Sequence, residues 1–71
     1  MPQTIMRPVP GLGYRFVGPQ YESPVFGDLD QGLDVLLGSI AQGRIPREDN
    51  QFLRGKLLDR FDGPVKRTQE S

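Results

Sequence analysis

Asp28, Asp30 and Asp34 surround Gly32 in the stretch Asp28-Leu29-Asp30-Gln31-Gly32-Leu33-Asp34. Alternating carboxylates about a glycine are what a hard cation such as calcium gathers around itself. The spacing does not fit. An EF-hand loop needs its glycine one step later and a bidentate glutamate at its end, where this chain has Ser39. The same acids suit the positive end of a helix dipole, so they are read as a helix start, and no metal ligand or cofactor is assigned. Glu48 and Asp49 are the other carboxylate pair. Sequence neighbours point to different sides of a helix and cannot grip one substrate atom together, so this pair is read as a solvated helix start. The chain has no His and no Cys. That removes the usual general base, the thiol nucleophile and the Cys/His zinc frameworks. No catalytic residue is assigned, and the chain is expected not to be an enzyme.

Gly11-Leu12-Gly13 is rich in glycine, but a phosphate cradle needs a strand before it and a helix after it. Here prolines precede and a strand-like run follows, so a turn is the better reading. Gly11-Leu12-Gly13-Tyr14-Arg15-Phe16 resembles the terminal hairpin of winged-helix response regulators of the OmpR/PhoB type. In that family the hairpin follows a recognition helix near the C-terminus, whereas here it stands near the N-terminus with no helix before it. No DNA-contacting role is carried across.

What remains is binding chemistry. Aromatic and arginine side chains are the usual anchors of protein interfaces, and Arg7, Tyr14, Arg15, Phe16 and Tyr21 cluster in the first third of the chain. Val35 and Phe52 join them because neither lies on the apolar stripe of its own helix. These seven residues are the candidate partner-binding set. Nine Lys and Arg balance nine Asp and Glu, which argues against a strong, sequence-independent grip on nucleic acid. The second helix alternates Arg54, Lys56 and Arg60 with Asp59 and Asp62 rather than forming a basic stripe.

The elements that position these residues follow from local signals. Pro2, Pro8, Pro10, Gly11 and Gly13 make residues 1–12 an extended arm, with an edge strand within Thr4 to Arg7. Tyr14 to Val17 and Tyr21 to Phe26 read as a β-hairpin across Gly18-Pro19-Gln20, with Pro24 at an edge or interrupting the ladder. Leu29, Leu33, Leu36 and Ile40 form one helical stripe with Leu37 beside it, starting at Asp28 or Asp30 and ending at Gly43. Gly32 and Gly38 each weaken that helix unless something approaches closely there. Pro46 suits the first turn of a second helix, whose stripe is Leu53, Leu57 and Phe61 with Leu58 flanking, and Gly63-Pro64 supplies its stop.

The expected fold is therefore α+β: an arm, a β-hairpin with a third short strand, and an antiparallel αα-hairpin packed on the sheet, with 13–65 as the domain and 66–71 as a disordered tail. No apolar run approaches a membrane span and no secretory signal is visible, so a cytoplasmic location is expected. The leading functional expectation is a small adaptor, inhibitor or regulator of a larger protein, of the size of phage or accessory regulators. The alternatives are a weak nucleic-acid binder using Arg7, Arg15 and the basic side of the second helix, and a homo-oligomeric assembly component such as a homodimer.

Overall fold

In a computed structural model, which describes residues 3–61, strand β1 (Ile5–Val9) turns back into strand β2 (Gly13–Gly18). Pro10 and Gly11 make the turn. Proline's fixed φ suits the second position of a type II turn, and the third position requires the positive φ that Gly11 supplies at 77°. The Leu12 N–H closes it by donating to the Val9 carbonyl at 3.0 Å. Gly13 has φ 129°, and a Cβ there would collide with the Phe26 carbonyl oxygen. The glycine-rich stretch thus serves a hairpin and the close passage of one backbone over another.

Strand β2 continues into β3 (Tyr21–Glu22) through Pro19 and Gln20, neither of which has a positive φ. β3 ends after two residues, and the ladder breaks at Ser23, whose carbonyl accepts from Arg15 Nε at 3.0 Å rather than from the Phe16 N–H. Ser23 bridges the gap. Its N–H donates to the Phe16 carbonyl, while its hydroxyl accepts from the Phe16 N–H and donates to the Pro24 carbonyl, each at 2.9 Å. Tyr14 and Phe26 then exchange backbone bonds of 2.9 and 2.8 Å. The sheet is three-stranded and antiparallel in the order β1-β2-β3, so residues 5–9 of the segment read as an arm supply its third strand.

Helix α1 (Leu29–Ala41) begins where Asp28 Oδ1 accepts the Gln31 N–H at 2.8 Å, and Gln31 reaches back to accept the Gly27 N–H at 2.9 Å. This is a close variant of a capping box. Gly43, at φ 75°, reverses the chain after it, and the Arg44 N–H caps the Ser39 carbonyl at 2.8 Å. A single 3₁₀ turn over Arg47–Asp49 leads into helix α2 (Asn50–Phe61). The stop read at Gly63-Pro64 and the tail 66–71 lie outside the described residues.

Phe16 and Phe26 from the sheet side, Leu36 from α1, Ile45 from the connector, and Leu53 and Leu57 from α2 form the buried core. The Phe16 and Phe26 rings pack at 4.8 Å between centroids, and Tyr14 meets Phe61 edge-on at 5.5 Å. One sequence expectation needs correction. The buried line of α1 is Gly32-Leu36-Ser39, rotated about 60° from the leucine stripe on a wheel of 100° per residue. Gly32 is the reason: a Cβ there would collide with Leu57 and with the Phe26 ring, so its absence lets both seat against the helix. Val35 is consequently drawn in against the core, while Leu37 turns out to 57% exposure.

Candidate functional site

Both backbone groups of Phe16 engage Ser23, and both of Tyr14 engage Phe26. Because alternate strand residues direct their backbone groups to the same edge, Gly13, Arg15 and Val17 must bond to β1. Their register partners Val9, Arg7 and Ile5 therefore face inward, and Thr4, Met6 and Pro8 present the outer edge. That edge is nearly stripped of donors. The Thr4 N–H is held by Asp49 Oδ2 at 3.1 Å, Pro8 has no N–H, and Met6 is left as the edge donor.

Asp49 itself corrects the sequence reading. It is 2% exposed rather than solvated, and the same oxygen also accepts the Gln3 N–H at 3.0 Å. A carboxylate can be buried here because two amides just before β1 replace the water it has lost. The contact ties the N-terminal strand to the entry of α2 across 45 residues of chain.

The period of two divides the side chains of the sheet into two sets. Met6, Tyr14, Phe16 and Tyr21 point to the helices, where Phe16 is fully buried and the Tyr21 hydroxyl shares a 2.7 Å hydrogen bond with Ser39 Oγ. Ile5, Arg7, Val9, Arg15, Val17 and Glu22 point the other way, onto a face that no described element covers. Cross-strand pairing on this face sets Ile5 against Val17 and Arg7 against Arg15. Two like charges directly opposite each other are unfavourable in isolation. Arg15 Nε donates to the Ser23 carbonyl at 3.0 Å, and one of its terminal nitrogens lies 4.0 Å from Glu22, whose side chain is largely exposed. Arg7 has no ion-pair partner among the described residues.

The seven residues singled out from sequence therefore do not form one site. Arg7 and Arg15 lie side by side on the open face of the sheet. Tyr14, Phe16 and Tyr21 belong to the packing between layers; Phe16 in particular is a core residue, because the same alternation that aligned it with Tyr14 turns both toward the helices. Val35 packs against the core, and Phe52 stands on the helical layer, 38% exposed, with Lys56 Nζ 5.3 Å from its ring centre. Ile5 and Val17 were missed. The signal for them was available, since they alternate with residues that the helices bury.

The remaining concavities are shallow. One of about 400 Å³ lies between the β2–β3 turn and the helix connector, where Arg44 stacks over Tyr21 at 5.8 Å from the ring centre with Pro19 and Pro46 nearby. Among the described residues no group of three or more Asp or Glu is placed to hold a metal ion, and no helix is long and apolar enough to cross a membrane. Comparison with protein-family models, curated proteins and solved structures finds no match for this chain.

Proposed function

We propose that this protein is a non-catalytic binding module that attaches to a larger protein through the open face of its sheet. One observation carries the reading: Tyr21 and Tyr14, on one side of β1-β2-β3, meet α1 and α2, while on the other side Ile5 and Arg7 are exposed and Val17 and Arg15 are half-buried. Arginine is among the residues enriched at interface centres, and the aliphatic side chains beside it would add buried apolar area. Docking by side chains is favoured over addition of a partner strand. An incoming strand needs a row of free donors, and Thr4, Pro8 and Pro10 deny it one along β1.

Ile5→Ser tests this reading. Ile5 is half exposed, so the variant should keep the melting temperature within a few degrees while weakening capture of a partner identified by mass spectrometry with the wild-type protein. Capture that is unchanged in Ile5→Ser and in Val17→Ser would refute it.

A further inference from the structure

We infer that the open face recognises an acidic, partly aliphatic segment of a partner protein, with Arg7 and Arg15 receiving its carboxylates and Ile5 and Val17 its apolar side chains. This rests on the open-face reading above and adds the chemistry of what binds there.

The first support is the unbalanced charge. Arg7 and Arg15 are register partners on adjacent strands, so their side chains rise together from one point of the face. The one acid among the described residues that is paired with either is Glu22, at 4.0 Å from Arg15 and well hydrated. Both side chains start from paired positions of the same face, and each guanidinium offers the fork of N–H donors that matches a carboxylate.

The second support is the setting of that charge. The Arg15 guanidinium is restrained because its Nε donates to the Ser23 carbonyl at 3.0 Å, so less side-chain freedom is lost when it binds. Aliphatic residues flank the arginines along both strands, with Ile5 opposite Val17 at one end and Val9 opposite Gly13 at the other. No aromatic side chain shares the face, since Tyr14, Phe16 and Tyr21 all turn to the helices. A single-stranded nucleic acid would want rings to stack on and more cationic charge than two arginines and a net charge of zero supply. Carboxylates alternating with aliphatic side chains match what is present.

The test uses the full chain labelled with ¹⁵N and three probes: an end-blocked peptide repeating Glu-Val-Asp-Leu, its Gln-Val-Asn-Leu counterpart, and an oligothymidylate of equal charge. The acidic peptide should shift amide resonances within residues 5–9 and 13–17, and the amide counterpart should not. Arg7→Gln and Arg15→Gln should each weaken the acidic peptide about five- to tenfold, with affinity falling as salt rises. No shift at millimolar acidic peptide, equal binding of the amide counterpart, shifts confined to α1 and α2, or tighter binding of the oligothymidylate would each overturn the inference. If partner capture depends on Ile5 while the arginine variants capture normally, the carboxylate assignment fails and the open-face reading survives. If neither set of variants alters capture, the open-face reading itself fails.

Discussion

Three small polar side chains show how differently one buried oxygen and another can act. The Ser23 hydroxyl satisfies the buried Phe16 N–H where the strand ladder is interrupted. Ser23→Ala leaves that donor without a partner and should lower stability by about 1–3 kcal/mol in a denaturant titration. Thr4 is the opposite case: it is buried, yet its Oγ1 has no partner. Thr4→Val replaces an unpaired hydroxyl by a methyl of similar size, so it should leave the melting temperature unchanged or raise it, and a clear drop would mean that the hydroxyl is hydrogen-bonded in solution. Asp49 accepts two amides through one oxygen, and Asp49→Ala should remove about 2–3 kcal/mol, with Asp49→Asn, which keeps an acceptor, losing less. None of these roles is legible in the sequence. The amides that Ser23 and Asp49 satisfy lie 7 to 46 residues away, and a buried serine or aspartate has no local pattern that separates it from an exposed one.

Both helices, by contrast, are legible in the spacing of their leucines, and α1 also in its Asp28 cap and Gly43 end, because amphipathic periodicity and capping are decided within a few residues of chain. What the spacing conceals is rotation about the helix axis. Leu37 lies beside the stripe and is exposed, whereas Val35 lies off it and packs inward, because Gly32 admits Leu57 and Phe26 to that side. The glycines of the helices therefore divide. Gly32→Ala should be destabilising, since Leu57 is fully buried and has no room to yield, while Gly38→Ala and Gly55→Ala meet nothing within 4 Å and should each stabilise by about 0.5–1 kcal/mol. Thermal melts of the three variants check the contrast; a gain at Gly32 would mean that α1 and α2 sit farther apart than described. The sheet was only half legible. Tyr14 and Phe16 reveal a strand and its period, but not which of its two faces the helices take, so the sequence alone offers Tyr14, Phe16 and Tyr21 to a partner while the structure packs them between the layers.

For the whole molecule, two layers share one thin core, and a domain of this length has a total stability of only about 4–10 kcal/mol. Leu57→Ala should cost about 2–5 kcal/mol of it, measured by urea unfolding, and a cost below 1 kcal/mol would mean that the two layers do not close around that side chain. Two patches of opposite sign show a division of charge: Asp28, Asp30 and Asp34 run along the first half of α1 and its cap, and Arg7 and Arg15 lie on the far face of the sheet beside Glu22. That division leaves head-to-tail association of copies as a competing use of the arginines, which light scattering of the wild type and Arg7→Gln at matched concentration distinguishes from capture of a foreign segment. The β1 margin has a quieter consequence. With Thr4 engaged by Asp49 and with Pro8 and Pro10 unable to donate, the folded chain is a poor seed for the stacked ribbons of amyloid, despite its aliphatic strands. A concentrated sample shaken for days should stay dark with thioflavin T, and Pro8→Thr, which gives back one donor, should shorten the time before fibres appear.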